Sequence, residues 1–365
     1  MPVISSDEMA QANAVLDKVS AEWLQRPGVT AVDLGFKWHA GEMTPQLAVR
    51  VHVMRKKAPE DLAPEELFPR EVDGVPIDVI EASYRPQHLV DLAQQESAVA
   101  GRARRHETIP LGVSIGCPQV TAGSLGAIVT DNQSGRRMIL SNWHVLANSL
   151  NPQPDLPIWQ PGRLDGGGMD DRFATLDRWL IGPYDAAVAH LSGERPVTEE
   201  TVEGHVLGPP RQPMLGMVVW KSGRTTGLTY GFVDGVRMQV NLQYPGAGLR
   251  RLHQVFRIIP RPGSGDDEVS APGDSGSVWV EAASGQAVGL HFAGEVGDQP
   301  EYALAHDLNH VLEALAVTLV ASPAQPVEPP VELPPVPPAP VQPTPPLEKA
   351  SFWSWLGGWL RRLFG

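Results

Sequence analysis

Short runs of alternating apolar and polar residues fill most of the chain, and a helical period appears first over residues 6–26. The stretches GVTAVDLGFKW, PQLAVRVHVMRK and GVPIDVIEA alternate and are rich in β-branched residues, which predicts three strands. A short helical stretch is predicted around Pro59–Leu67. The basic segment GRARRHE follows near residue 105. We therefore predict a small α+β domain over residues 1–105.

The pattern changes over residues 106–320, where short apolar strands recur between glycine, asparagine and proline residues. Such spacing is typical of an all-β barrel or sandwich. The region is long for one small barrel and suits two, which we place at 106–205 and 206–320. It closes with a predicted helix in DLNHVLEALAV. The predicted strands are GSLGAIVTD, RRMILSN, AAVAHL, MVVWKSG, GLTYGFVDG, HQVFRII, SGSVWVE and QAVGLHFAG.

The C-terminal part is predicted to be a disordered Pro-rich tail. Proline occupies 12 of the 24 positions of 323–346, so residues 321–350 are predicted to form an extended linker. The tip at 351–365, SFWSWLGGWLRRLFG, combines aromatic, apolar and basic residues on a short amphipathic pattern. It suits a membrane surface or a hydrophobic groove, on a protein partner or on the chain's own folded part. A tip without function is the remaining interpretation.

Composition narrows the classes of partner. The formal net charge of −13 argues against nucleic acid and against a general attraction to anionic lipid. The single cysteine, Cys117, excludes an internal disulfide and fits a reducing compartment. We see no signal-peptide pattern at the N-terminus and no apolar run of ~18 residues. The expected location is cytoplasmic, with peripheral membrane association through the tip as a variant.

Ser275 is the candidate nucleophile, in the stretch APGDSGSVWV. A serine hydroxyl needs a base to take its proton and donors to stabilise the oxyanion that forms. Gly273 and Gly276 allow backbone conformations that a Cβ would exclude. They can aim the amides of Gly273 and Ser275 at one point and leave the hydroxyl exposed. Alone, this stretch could equally be a β-turn.

A base and an acid complete the pattern. His144 follows directly after the predicted strand MILSN, and Asp185 begins an alternating strand in PYDAAVAHL. Either could be structural by itself, but together with Ser275 they occur in the order His, Asp, Ser. That is the order of chymotrypsin, rather than that of subtilisin or the α/β-hydrolases. The sequence therefore predicts a catalytic triad.

On these motifs, SNWHVLA, YDAAVA and PGDSGS, the sequence resembles the trypsin-like serine peptidases of the chymotrypsin fold. KSGRTTGLTYGFV and VSIGCPQVTAGSLGAIV are similar to the narrow-leaf subgroup of bacteria and plants. The resemblance implies a mainly β fold, a chymotrypsin-like double β-barrel with the active cleft between two six-stranded barrels. It also implies that His144 is the general base, that Asp185 orients it and that Ser275 attacks. The amides of Gly273 and Ser275 would form the oxyanion hole.

The substrate pocket departs from that of digestive trypsins. Val269 stands where those enzymes carry an acid, so a preference for arginine or lysine is not supported. Activation of those enzymes also needs a freed N-terminus, and no such cleavage site is evident before the first barrel. His291, on QAVGLHFAG, sits where glutamate-specific relatives carry a substrate-binding histidine. A protonated or donor imidazole there would favour acidic side chains; otherwise His291 simply lines the cleft.

Two further motifs resemble ligand-binding patterns only in part. HDLNH, His306 to His310, has the spacing of two zinc ligands on one helix face, but Asp307 is short for a catalytic acid and no third ligand is evident. A polar face on the terminal helix is favoured. KSGRTTG, Lys221 to Gly227, lacks phosphate-loop spacing and predicts a hairpin or bend. No metal and no cofactor are expected.

The leading functional prediction is a serine endopeptidase that acts on protein or peptide substrates through an acyl-enzyme. The alternative is a catalytically silent scaffold of the same fold, which a blocked cleft or a distant His144 would favour. In a third interpretation, the N-terminal unit recruits substrate or restrains proteolysis as a regulated adaptor.

Overall fold

The protein is mainly β over residues 4–87, 99–265, 268–295, 300–323, 325–327 and 329, which the computed structural model describes. One compact unit comprises Met1–Pro329. The tip at 351–365 and most of the Pro-rich linker lie outside the described residues, so both stay predictions. The helices are α1 Ser6–Trp23, α2 Trp143–Leu146 and α3 Leu308–Ala314.

The strands up to residue 201 include most of those predicted from alternation. They are β1 Val29–His39, β2 Glu42–Val53, β3 Glu71–Val72, β4 Val75–Glu81, β5 Tyr84–Pro86, β6 Ile109–Leu111, β7 Ser114–Ile115, β8 Gly123–Ser124, β9 Ala127–Asp131, β10 Arg137–Ser141, β11 Pro157–Trp159, β12 Arg172–Ile181, β13 Asp185–Leu191 and β14 Val197–Thr201.

The remaining strands include a long pair, β17 and β18, that extends well beyond its neighbours. They are β15 Gly208–Pro210, β16 Val218–Gly223, β17 Gly227–Tyr244, β18 Gly248–Ile259, β19 Val278–Glu281, β20 Gln286–Glu295, β21 Ala303–Asp307 and β22 Val317–Leu319.

Helix α1 begins at a capping box and lies on the first strands. The Ser5 side chain accepts the Glu8 amide, and the Glu8 carboxylate accepts the Ser5 amide. Such a cap contributes about 1 kcal/mol to helix stability. The apolar residues recur at helical spacing and pack against β1 and β2; those buried are Ala12, Val15, Leu16, Val19 and Trp23. The helix ends at Trp23, three residues before its predicted end.

The N-terminal strands continue the sheet of the second half of the chain. β1 pairs antiparallel with β2, and β2 pairs parallel with β4. The other edge of β1 pairs antiparallel with β17, where Ala31 faces Val240. The stretch predicted as helical around Pro59–Leu67 forms two short 3-10 turns, Pro59–Asp61 and Pro64–Glu66. The domain boundary at residue 105 stays a prediction.

Two six-stranded assemblies carry the rest of the fold. The first is a sheet in the order β11-β12-β13-β10-β9-β22. The second closes on itself: β16 pairs β17, β17 pairs β18, β18 pairs β21, β21 pairs β20, β20 pairs β19, and β19 pairs β16. Closure leaves no free edge in this ring, so every strand is paired on both sides. The predicted strands of residues 106–320 are among the members of these assemblies, whereas β11, β12, β21 and β22 were not predicted.

A buried cluster of charges links the N-terminal strands to the second barrel. Arg50 on β2 bonds Asp33 on β1 and Asp234 on β17, at 2.8 and 2.7 Å. Arg257 on β18 also bonds Asp234, at 2.8 Å through Nε. His52 lies 3.1 Å from Asp33. Buried charges are tolerated only when they are paired in this way, so the cluster fixes how these strands meet.

The KSGRTTG stretch forms the predicted hairpin, in which Gly223 on β16 faces Gly227 on β17. The HDLNH prediction is wrong in one respect. His306 ends up on β21, and α3 begins only at Leu308 with Asp307 as its cap. The two histidines therefore do not share a helix face. Among the described residues, no helix is long and apolar enough to cross a membrane.

Candidate active site

His144 and Asp185 are brought together at one end of the first sheet. His144 lies in the single turn of α2, directly after β10, and Asp185 is the first residue of β13. Because β10 and β13 are antiparallel neighbours, the end of one meets the start of the other. His144 Nδ1 lies 2.5 Å from Asp185 Oδ2, and the His144 amide donates to Oδ1 at 3.2 Å. The carboxylate therefore holds both the backbone and the ring of the histidine.

Asp185 is buried, and two further residues, Tyr244 and Asn142, bond to it. Tyr244, the last residue of β17, donates its hydroxyl hydrogen to Asp185 Oδ2 at 2.8 Å. The Asn142 amide donates to the Asp185 carbonyl at 2.8 Å. Burial alone would raise the pKa of Asp185, but the adjacent His144 and the hydrogen bonds from His144 and Tyr244 hold it below its ordinary value. The acid is thus kept ionised beside the imidazole.

His306 supports the same aspartate from β21. Its Nε2 accepts the Asp185 amide hydrogen at 3.1 Å, and its Nδ1 lies 3.3 Å from the His253 carbonyl. Burial lowers the pKa of His306 to about 4, so the ring is neutral near pH 7 and can accept at Nε2. The ring also stacks on Phe292, with centroids 4.1 Å apart. His306 is therefore a packing and positioning residue.

The nucleophile loop depends on the two predicted glycines. Gly273 and Gly276 have φ of +103° and +95°, in the region that favours glycine. A Cβ on Gly276 would overlap Ser124 and Ser141. The Ser275 carbonyl accepts the Ser124 amide at 2.7 Å, which ties the loop to the first barrel.

Asp274, between Gly273 and Ser275, is a buried anchor for this loop. It accepts the amides of Thr225 and Ala271 at 2.8 and 3.0 Å. Lys221 Nζ lies 3.0 Å from its Oδ2, and both side chains are fully buried. Burial would raise the pKa of Asp274, but Lys221 and the hydrogen bonds lower it to about 2. The lysine that the sequence placed in an ordinary hairpin therefore neutralises the loop's carboxylate.

The carbonyl of Gln87 lies against the predicted nucleophile. Ser275 Oγ donates to the Gln87 carbonyl oxygen at 2.8 Å, and the Gly273 amide donates to the same oxygen at 3.3 Å. One carbonyl oxygen is thus held by the hydroxyl and by one of the two amides predicted for the oxyanion hole. The Ser275 amide as the second donor stays a prediction.

The segment that ends in Gln87 lies along β20 as an added antiparallel strand. In β5, Tyr84 faces Glu295, Arg85 faces Gly294 and Pro86 faces Ala293. The Gln87 amide then donates to the Phe292 carbonyl at 3.1 Å. The edge of β20 therefore binds an extended segment and places the Gln87 carbonyl beside Ser275.

His291 contacts the Gln87 side chain. Its Nε2 lies 2.6 Å from Gln87 Oε1, and Trp279 Nε1 lies 3.4 Å from its Nδ1. Burial lowers the pKa of His291 to about 3, and the nearby positive charge of Lys221 acts in the same direction. This buried site therefore disfavours the protonated form of His291 near pH 7, which is one of the two forms expected to favour acidic substrates. The neutral donor form is compatible with the contact.

Val269 is fully buried beneath the same region. Its carbonyl accepts the Thr229 hydroxyl at 2.7 Å, and its amide donates to Glu301 at 2.9 Å. Neither bond involves Gln87, and the role of Val269 in the substrate pocket stays a prediction. Within the described ranges, no group of three or more His, Cys, Asp or Glu residues is placed to hold a metal ion.

Sequence reasoning missed four residues of this site. Gln87 and Tyr244 lie in no motif, and His306 lies in HDLNH, which predicted a helix. Lys221 lies in KSGRTTG without a predicted role in the site, but the apolar residues VVW directly before it could have suggested a buried, paired charge. Gln87 offers no such signal, because its contacts are with residues about two hundred positions away.

Comparison with known proteins gives similarity of fold at low identity. No protein-family model and no curated protein sequence matches the chain. Among solved structures, Thermobifida fusca Protease A is 18% identical, with 59% of this chain and 100% of that chain covered and a TM-score of 0.44. Nocardiopsis Protease is 19% identical, with 58% and 98% covered and a TM-score of 0.44. A serine protease described as glutamic acid specific is 20% identical, with 58% and 100% covered and a TM-score of 0.42.

Proposed function

We propose that the protein is a serine endopeptidase that cleaves peptide bonds through an acyl-enzyme on Ser275. The observation that carries this proposal is the convergence on one carbonyl oxygen, that of Gln87, of the Ser275 hydroxyl and the Gly273 amide. Acyl transfer requires a nucleophilic oxygen beside the carbonyl carbon and a hydrogen-bond donor at its oxygen, and Ser275 Oγ and the Gly273 amide lie beside the same carbonyl group. The His144–Asp185 pair supports it with a base and a fixed partner.

The proposed reaction assigns each group one task. His144 takes the proton of Ser275 Oγ while that oxygen attacks the peptide carbonyl carbon. Asp185 stabilises the imidazolium, and the Gly273 amide stabilises the oxyanion. The peptide C–N bond then breaks, with the proton passing from His144 to the leaving amine. Water, deprotonated by His144, hydrolyses the ester and restores Ser275. Lys221 and Asp274 hold the loop that positions the donors.

One observation favours the silent scaffold as a second candidate. Tyr84–Gln87 fills the cleft, and Gln87 is only 3% exposed. A permanently occupied cleft would bind no other peptide. The two candidates differ in whether this occupant leaves.

Three further expectations are kept as proposals. They are a likeness to the narrow-leaf subgroup, a cytoplasmic location, and a membrane or protein partner for the tip at 351–365.

The test is hydrolysis of a quenched fluorescent peptide library by the full chain, with products identified by mass spectrometry. Ser275→Ala should abolish turnover. Ser134→Ala, an exposed serine in the turn between β9 and β10, should leave it unchanged. Turnover that survives Ser275→Ala would refute the mechanism. Absence of turnover in the wild type and in a variant whose cleft has been emptied would favour the scaffold.

A further inference from the structure

The chain itself occupies the cleft between Ser275 and β20. We propose that Tyr84–Gln87 is bound there as the acyl half of a substrate, so that the cleft selects peptides with glutamine before the cleaved bond, and that this segment competes with other peptides for the site. The inference rests on the proposed peptidase function and adds to it the substrate class and a form of restraint.

The backbone of Tyr84–Gln87 pairs with β20 as an added strand. Residues of an added strand alternate between bonding to the sheet edge and facing away from it. Arg85 faces Gly294 within this ladder, while the Gln87 amide donates to the Phe292 carbonyl at 3.1 Å. Pro86, which has no amide hydrogen, falls at the position between them, where none is required. Sequence and register thus agree with a peptide bound in extended form.

The Gln87 carbonyl lies directly beside the predicted nucleophile. Its oxygen is 2.8 Å from Ser275 Oγ and 3.3 Å from the Gly273 amide. Gln87 is therefore bound as the residue whose carbonyl would be attacked.

The side chain of Gln87 lies in a buried pocket against His291. His291 is fully buried, and its Nε2 lies 2.6 Å from Gln87 Oε1. Gly294 leaves room for the amide, because a Cβ there would overlap the Gln87 side chain. A neutral imidazole and a neutral primary amide can pair without burying a net charge. A lysine would bring an uncompensated charge into this pocket, and asparagine is one methylene too short to reach His291.

Glutamate is disfavoured by the neutral histidine, because its carboxylate would be buried against His291 without a compensating charge. Among side chains of this length, glutamine fits best.

Tyr84, at the start of the segment, is also held by contacts, which supports the proposal that the segment competes with other peptides for the cleft. Tyr84 Oη lies 2.5 Å from His52 Nδ1, and His52 lies 3.1 Å from the buried Asp33. The Tyr84 ring packs against Tyr302, with centroids 5.8 Å apart. An occupant tethered within the same chain acts at a high effective concentration, so it outcompetes a free peptide of equal intrinsic affinity.

The experiment uses the full chain and three fluorogenic peptides, acetyl-Tyr-Arg-Pro-X-aminomethylcoumarin, with X as glutamine, glutamate or lysine. Gln87→Gly removes the amide that fills the pocket and should free the cleft. The matched control is Gln153→Gly, an exposed glutamine in the loop before β11. Thermal unfolding of each variant checks that it is folded.

We expect Gln87→Gly to raise kcat/KM for the glutamine peptide at least roughly tenfold over wild type, because the competent fraction increases. Gln153→Gly should behave as wild type. In Gln87→Gly the glutamine peptide should exceed the glutamate and lysine peptides on the order of a hundredfold at neutral pH. Equal rates for the three peptides would overturn the selectivity. Equal rates for wild type and Gln87→Gly would overturn the restraint.

Binding separates this inference from the proposed function. Ser275→Ala combined with Gln87→Gly is titrated calorimetrically with acetyl-Tyr-Arg-Pro-Gln and with its lysine counterpart. Preferential binding of the glutamine peptide supports the inference even if every chain fails to hydrolyse peptides, an outcome that would refute the peptidase alone. Turnover of other peptides without any preference for glutamine would refute the inference and leave the peptidase standing.

Discussion

Tyr244 donates its hydroxyl hydrogen to Asp185 at 2.8 Å, from the end of the long strand β17. The bond reaches from the second barrel to the acid of the first. It also leaves the aspartate with two partners on Oδ2, His144 and Tyr244. Tyr244 is therefore a positioning residue, since it acts on the reaction only through Asp185.

Tyr244→Phe tests this role. The ring still fills its place beside Trp143, so the fold should persist. Loss of a hydrogen bond to a charged group removes about 1.5 kcal/mol, and we expect kcat to fall roughly tenfold with KM unchanged. Steady-state kinetics with a cleaved peptide measure both constants. A wild-type kcat in a folded variant would show that the bond does not orient Asp185.

Lys221→Met tests the buried pair with Asp274. Removing the lysine leaves a buried, unpaired carboxylate, which costs about 3–5 kcal/mol of unfolding free energy. Urea unfolding of wild type and variant measures the difference. The double variant Lys221→Met with Asp274→Asn should recover part of the loss, because neither member then carries a charge. A loss below about 1 kcal/mol for the single variant would mean that the charge is compensated elsewhere.

The raised pKa of Glu301 predicts that the free energy of unfolding depends on pH. Burial, with the charge of Glu295, raises its pKa from 4.5 to about 8. Between those values the folded state binds more protons than the unfolded chain, so this residue makes stability fall as pH rises. Glu301→Gln keeps an acceptor oxygen for the Val269 and Ser270 amides and should remove that contribution. The Tm of both proteins between about pH 5 and pH 8 is the measurement; parallel curves would contradict the raised pKa.

The protein's own chain should be among its substrates. If Ser275 attacks the Gln87 carbonyl carbon, the chain forms an ester at Gln87 and releases the amine of the next residue. Water then hydrolyses the ester to a free Gln87 carboxylate. Intact-mass analysis of purified wild type should reveal a fragment that ends at Gln87, and Ser275→Ala should remain whole. A wild-type chain that stays whole after prolonged incubation would contradict cleavage in cis.

Local patterns in the sequence predicted many of the longer strands but missed others, such as β12 and β21. Segments such as QAVGLHFAG and MILSN alternate as strands of a half-buried sheet must, and their bounds in β20 and β10 follow closely. The positive φ of Gly273 and Gly276 was likewise predictable, because GDSG needs conformations that a Cβ excludes. The meeting of His144 and Asp185 follows once β10 and β13 pair.

Non-local pairing was out of reach of the same reasoning. Nothing in the alternation of β1 indicates that its free edge pairs with β17, since any strand edge offers the same donors and acceptors. Tyr84–Gln87 follows the predicted strand GVPIDVIEA and was not predicted to form any element, because its binding along β20 depends on the finished fold. His306 has the helical spacing of HDLNH but pairs in β21, because tertiary pairing outweighs local propensity.

The most direct test of the account is phosphonylation of Ser275. Full-length wild type, Gln87→Gly and His144→Ala are incubated with an alkyl fluorophosphonate, and the modified residue is found by peptide mapping. The account predicts a stable adduct on Ser275 Oγ with loss of fluoride, formed faster in Gln87→Gly than in wild type and abolished by His144→Ala. No adduct on Ser275 in either wild type or Gln87→Gly, or equal labelling after His144→Ala, would contradict it.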